Sequence, residues 1–361
     1  MESSPLEKSR SIPSLDGLRA FSVLAVILGH TQSTLLDRVP FNAAFRDGGK
    51  GVAIFFVISG FLITHLLLKE LHRDEKINLT RFYLRRTFRI FPPFYGFLLV
   101  VAVLAFFHRV HFNPTTMLIA GTYTWNYIRT PHTWVFAHCW SLTLEEQFYL
   151  LWPLCMTLFS RRTNLAIASG VILLSPLSRV VTYYAWPYMR ENLDMMLHTH
   201  LDTIMTGCLL ALIIDLKIWQ KMIRVALSPI APILSIAFLL TADTAAKQRF
   251  RGMYLMTIGI TLENIAIAAL LLYVVFRHES PLGRLLNLRP IRHFGMISYS
   301  LYLYQQLFTG PYTRQFPLNI LFIVAAAELS YLFVEKPSFR IREFVQKRHF
   351  SSKNSERLAE V

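Results

Sequence analysis

From Gly51 to Leu68 the chain runs GVAIFFVISGFLITHLLL without an Asp, Glu, Lys or Arg. A hydrocarbon core about 30 Å thick needs roughly 20 such apolar residues to cross as a helix. Similar segments recur, at about 16–36, 51–71, 92–108, 140–160, 164–185, 200–216, 225–242, 252–276, 294–309 and 317–335. Inside lipid each backbone N–H and C=O must be satisfied within the protein, so a chain of this pattern has to be a helical bundle. The expected fold is all-α, a polytopic bundle of about ten transmembrane helices. Pro92 and Pro93 are expected to open the third span, because proline suits a first helical turn. Residues 109–138 are aromatic but broken by Asn113, Pro114, Asn126, Arg129, Pro131 and the histidines His111, His132 and His138. They read as an outer loop with short or re-entrant helices buried in protein.

Composition agrees with a membrane protein. The 361 residues are 53% hydrophobic and 16% charged, where soluble domains carry about 25% charged residues. The net charge of +15 is explained by basic residues placed between apolar segments, not by nucleic-acid binding. With both termini in the cytoplasm, 26 of the 37 Lys and Arg residues fall on the inner side, as the positive-inside rule requires. This divides the chain into a cytoplasmic tail (1–14), a membrane domain (15–340) and a basic cytoplasmic tail (341–361). No cleavable signal peptide is expected, since Asp16 and Arg19 precede the first apolar run. Cys139, Cys155 and Cys208 lack metal spacing and read as small buried hydrophobes, so no metal is expected.

Three stretches could carry chemistry. The first, LDGLRAFSVLAVILGH, opens with Asp16 and Arg19 and ends on His30. Eleven helical residues at about 1.5 Å each place His30 roughly 16 Å along the axis from Arg19. An ionisable group at that depth is expensive and points to function; the alternative is a neutral histidine bonded to a neighbouring helix. A neutral histidine can act as general base toward a hydroxyl. The second stretch, YLRRTFRIFP, puts Arg85 or Arg86 beside Arg89 on one face. Arginine forks suit the phosphates of a nucleotide-like cosubstrate or lipid headgroups. The third, HCWSLTLEEQFYLLWP, contains Trp140, Ser141, Glu145, Glu146 and Gln147. Ser141 is expected to cap the helix. One glutamate should face a site while the other bonds a basic residue, since adjacent residues do not share a face.

Lesser candidates are Tyr302 and its neighbours Tyr299, Tyr304, Gln305 and Gln306, with Asp202 and Glu335. His198 and His200 diverge on a helix, which argues against a metal site there.

Taken together, SLDGLRAFSVLAVILGH, GVAIFFVISGFLIT, FYLRRTFRIFPP, CWSLTLEEQFYLLWP, LDTIMTGCLLALI, ISYSLYLYQ and SYLFVEKP resemble the integral-membrane acyltransferase 3 family, in the family's order and across roughly residues 13–340. The resemblance implies a ten-helix enzyme of the cell (inner) membrane. It would be an O-acyltransferase passing an acyl group, usually acetyl, from cytoplasmic acyl-CoA to a hydroxyl of a carbohydrate, lipid-linked sugar or related acceptor. The functional histidine carries over to His30, the arginine of the first motif to Arg19, the R-x-x-R arginines to Arg86 and Arg89, and the glutamate pair to Glu145 and Glu146. Glu145 or Glu146 is then expected to orient His30 or the acceptor. Trp125, Trp134, Tyr123 and Tyr127 offer either stacking surfaces for sugars or an interfacial belt. Two positions depart from the family: many members have an acidic residue where this chain has Ala53, and histidine after SYSLYLW where it reads Tyr304-Gln305. Only a short tail follows the last span, so no second esterase-like domain is expected. The competing reading is a glycolipid transporter or flippase without acyl transfer; it would favour an internal repeat, and none is visible.

Overall fold

The computed structural model describes residues 13–31, 42–128, 133–310 and 316–359. The tail before residue 13, the far end of the first expected span, and Arg129, Pro131 and His132 lie outside the described residues. Every regular element among those described is helical. The principal helices are α1 (Pro13–His30), α2 (Gly48–Asp74), α3 (Leu79–Phe106), α4 (Pro114–Gly121), α5 (Cys139–Leu158), α6 (Arg161–Ala185) and α7 (Leu197–Ile213). They are followed by α8 (Ile230–Leu240), α9 (Ala242–Tyr254), α10 (Ile260–Phe276), α11 (Arg289–Met296), α12 (Ser298–Phe308), α13 (Leu318–Ser330) and α14 (Lys336–Ala359).

Among the described residues, six helical stretches are long and apolar enough to cross a membrane: Gly48–Asp74, Leu79–Phe106, Arg161–Ala185, Pro187–Ile213, Ile230–Phe276 and Leu318–Arg348. The chain is a multi-pass membrane protein. Several expected spans are realised as shorter pieces. The segment expected at 294–309 breaks at Ile297 into α11 and α12. Ser300 through Gln306 of α12 are all buried, so protein rather than lipid shields its backbone.

The third expected span needs correction. Pro92 and Pro93 do not open a helix; α3 starts at Leu79 and passes straight through them. Pro92 has no N–H to give the carbonyl of Phe88. Ser338 Oγ donates to that carbonyl instead, at 2.5 Å. A neighbouring side chain thus satisfies the carbonyl that Pro92 frees, as membrane helices allow.

Helix α2 is the central post, packed between α1 and α7. A Cβ on Gly60 would lie 2.0 Å from Ile204 O, and one on Gly207 2.0 Å from Val57 O. Two glycines facing each other's backbone let α2 and α7 touch main chain to main chain, the small-residue packing of membrane helices. Arg179 of α6 and Asp202 of α7 form an ion pair at 3.0 Å, with side chains 2% and 1% exposed. Asp202 is therefore a structural partner and not a free carboxylate. Among the described residues of 109–138, the regular elements are α4, eight residues long, and a single turn at Trp134–Phe136.

Candidate active site

Helix α1 carries Arg19 near one end and His30 at the other, and the site is laid out between them. At the Arg19 end, a cavity of ≈ 350 Å³ is lined by Asp16, Arg19, Leu66, Arg89, Tyr331 and Phe339, among others. Arg19 and Arg89 also line a second, narrower cavity of ≈ 60 Å³ deeper in the bundle. This inner cavity is walled by α1, α2, α3, α5 and α12 and gathers Arg19, Arg86, Arg89, Glu145, Glu146 and Tyr302. Side chains chosen from three separate motifs therefore meet in one place.

The arginines differ in what holds them. Arg85 turns away to Glu70, its Nη2 3.3 Å from the carboxylate. Arg86 lies over the Tyr149 ring, 4.8 Å from its centroid. Arg19 Nε is buried without a hydrogen-bond partner. Such a group is costly unless something else satisfies it.

Both glutamates line the inner cavity, contrary to the expectation that one would turn to a basic partner. They leave the helix about 100° apart, but the cavity is bounded on several sides and reaches both. Glu145 accepts hydrogen bonds from Ser59 Oγ and Tyr149 OH. Neither carboxylate is the partner of His30. That partner is Gln305, whose Oε1 lies 3.0 Å from His30 Nδ1. With a carbonyl oxygen as its neighbour, Nδ1 carries the proton and Nε2 keeps a lone pair. Trp134 packs against the imidazole ring, 5.3 Å between centroids and nearly perpendicular. Its Nε1 donates to Gln306 O at 3.1 Å.

Between the inner cavity and His30 lies a polar layer. Ser141 Oγ and Tyr302 OH are 2.5 Å apart. Gln306 Oε1 accepts from the His138 backbone N–H at 3.1 Å and lies 2.6 Å from His138 Nδ1.

Comparison with known proteins decides the family. The acyltransferase domain family matches residues 12–334, nearly the whole chain. The chain belongs to the acyltransferase 3 family. It is 32% identical to the O-acetyltransferase OatA of Staphylococcus aureus (strain NCTC 8325 / PS 47), covering 91% of this chain and 57% of the relative. It is 29% identical to the peptidoglycan O-acetyltransferase OatA of Listeria monocytogenes serovar 1/2a, covering 90% and 55%. The chain thus spans somewhat more than half the length of these curated relatives. No solved structure matches it.

The remaining residues singled out in this acyltransferase 3 chain take more modest places. Ser141 is not the helix cap: α5 begins at Cys139, and Ser141 Oγ donates back to His138 O at 3.0 Å. Gln147 pairs amide to amide with Asn126, at 3.0 and 3.2 Å, and so pins the 109–138 loop to α5. Trp140 turns from the inner cavity toward Phe56 and His200. Asp16 lines the wider cavity at the foot of α1. Glu335 accepts from Ser300 Oγ at 2.5 Å.

The aromatic loop is mostly interior. Trp125 is 5% exposed, Trp134 is committed to His30, and Tyr123 packs on Phe94 at 4.8 Å. Only Tyr127 of the four is well exposed, at 40%. A Pro-broken segment between apolar helices looks like a surface loop, but here its rings fill the gap between α3 and α5.

Sequence reasoning missed Ser59 and Tyr149. Tyr149 lies at i+4 from Glu145, a spacing that could have flagged it. Ser59 is one of the few polar residues in an otherwise apolar run. Among the described residues, no three His, Cys, Asp or Glu side chains form a metal-holding group.

Proposed function

We propose that this chain transfers an acetyl group from acetyl-CoA to a hydroxyl of a cell-surface carbohydrate. In this reading ten helices cross the membrane, with both termini and the Arg19 end on the cytoplasmic side. The observation that carries it is the line from the arginine-walled cavities, along α1, to a histidine oriented by Gln305.

Arg19, Arg86 and Arg89 hold the phosphates of CoA by charge-assisted hydrogen bonds. The unpartnered Arg19 Nε finds its acceptor there. The pantetheine arm covers the roughly 16 Å to His30. The inner cavity is narrow, and Phe55, Phe56 and Tyr302, which line it, move aside to admit the arm. His30 Nε2 takes the proton of the acceptor hydroxyl as its oxygen attacks the thioester carbonyl. The C–O bond forms, the C–S bond breaks, and the imidazolium returns its proton to the departing thiolate. Glu145, held by Ser59 and Tyr149, fixes the polar wall past which the thioester moves.

Two relatives are named O-acetyltransferase and peptidoglycan O-acetyltransferase, which supports acetyl as the group and a glycan as the acceptor. The test is acetyl transfer from labelled acetyl-CoA by membranes carrying the wild-type protein or His30→Ala. Transfer should vanish in the variant at equal protein level; full activity overturns the mechanism. A transporter would move substrate without consuming acetyl-CoA.

A further inference from the structure

At the His30 end of the bundle lies a separate cavity of ≈ 170 Å³, between α2, α5, α7, α9 and α10. Trp140, His200, Thr203 and Asn264 line it. Thr203 is 0% and Asn264 2% exposed. His200 Nδ1, Thr203 Oγ1, and both Nδ2 and Oδ1 of Asn264 are buried with no hydrogen-bond partner. Buried polar atoms are nearly always satisfied, and each orphan costs about 1–3 kcal/mol. All four belong to residues that line one cavity, and a hydrogen-bonding guest there would draw them into use.

The charges nearby say what kind of guest. Lys247 is already held by Asp47 at 2.8 Å, Glu263 at 2.7 Å and Asp243 at 3.2 Å. No spare cation is left at this cluster for a phosphate or carboxylate. Besides this cluster and the Asp194 carboxylate, which only a donor such as a hydroxyl or amide N–H suits, the lining offers a primary amide that both donates and accepts, a hydroxyl, an imidazole nitrogen and a flat indole. A neutral ring bearing hydroxyls and an acetamido group satisfies these together. The cavity also sits level with His30. A Cβ on Gly29 would come 2.6 Å from Gly48 N, and Asp47 and Gly49, on either side of Gly48, line the cavity.

We propose that this cavity is an acceptor subsite that takes one N-acetylhexosamine ring of a glycan, with Asn264 reading the acetamido group and Trp140 supporting the ring. The proposal rests on the reading that the acceptor is a carbohydrate, and names where it is held.

The test is saturation-transfer NMR with the N-acetylglucosamine trisaccharide on the detergent-solubilised full chain. Wild type and His30→Ala should both bind it, with signal strongest at the acetamido methyls. Asn264→Leu and Thr203→Val should weaken binding at least tenfold, and Thr203→Ser should restore it. In transfer assays Asn264→Leu should raise the acceptor KM at least tenfold while moving the acetyl-CoA KM less than twofold. No binding by the wild type, or equal binding by the variants with melting temperatures preserved, overturns the subsite. Because binding is read without turnover, absence of acetyl-CoA consumption would count against the acyl-transfer reading and not against the subsite.

Discussion

His30 Nδ1 and Gln305 Oε1 are 3.0 Å apart across 275 residues of sequence. Thr309 Oγ1 donates to the Gln305 backbone carbonyl at 2.9 Å and lies 3.3 Å from Oε1. The amide oxygen holds the imidazole with Nε2 free. Gln305→Leu should lower kcat by about tenfold or more, because a misaligned base loses the benefit of a prepaid orientation, with the acetyl-CoA KM little changed. Gln305→His should keep most activity, since an imidazole nitrogen can accept the same proton. The pair, measured by kcat and KM in membranes, separates an orienting role from packing.

Arg85 and Arg89 lie on one helix but face different partners. Arg89 borders both arginine-walled cavities, whereas Arg85 is paired with Glu70. Arg89→Ala should raise the acetyl-CoA KM at least tenfold, equivalent to about 1.4 kcal/mol, and Arg85→Ala should move it less than twofold. Adenosine 3′,5′-bisphosphate, which carries phosphates without the thioester, should inhibit wild type competitively and Arg89→Ala much less. Equal effects from the two alanines would mean lipid anchoring and not donor binding.

The sequence made some of this legible and hid the rest for definite reasons. Arg19, His30, Arg86, Arg89, Glu145 and Glu146 stand out because a charge in an apolar helix has few innocent explanations. Helical period then predicts which residues share a face, but not what that face meets. The glutamates are thus the expected partners of His30, whereas the partner is Gln305, on a helix too far along the chain for any spacing rule. Pro92 and Pro93 read as a helix start for a related reason: the Ser338 hydroxyl that satisfies the freed Phe88 carbonyl comes from a distant segment. The cavity near His30, here the outer cavity, is not legible in the sequence because Trp140, His200, Thr203 and Asn264 come from three helices, and no spacing rule joins them.

Phe56 forms part of the partition between the two halves of the site. Its ring lines the inner cavity and meets Trp140 at 6.0 Å and His200 at 5.9 Å, both of which line the outer one. Phe56→Leu should thin that partition while keeping an apolar side chain in place. Acetyl-CoA hydrolysis without acceptor should rise several-fold, and the fraction of acetyl groups reaching the acceptor should fall. Phe56→Ala should do so more strongly but at a stability cost of about 3–5 kcal/mol, so the leucine variant is the cleaner measurement. Unchanged coupling in both would mean that the partition lies elsewhere.

The α2–α7 contact is where the bundle should be least forgiving. Val57 O lies 2.0 Å, and Phe61 N 2.6 Å, from where a Cβ of Gly207 would stand. These are backbone atoms within a helix, so they cannot swing aside as a side-chain tip would. Gly207→Ala must therefore push the two helices apart, and with them two walls of the outer cavity, since Ala53 and Gly49 belong to α2 and His200 and Thr203 to α7. The expected result is a melting temperature in detergent lowered by several degrees and a large loss of transfer, with Gly207→Leu failing to accumulate as folded protein. Gly170 offers the control: a Cβ there meets nothing within 4 Å, so Gly170→Ala should leave both measurements unchanged or slightly raise the melting temperature through the better helix propensity of alanine.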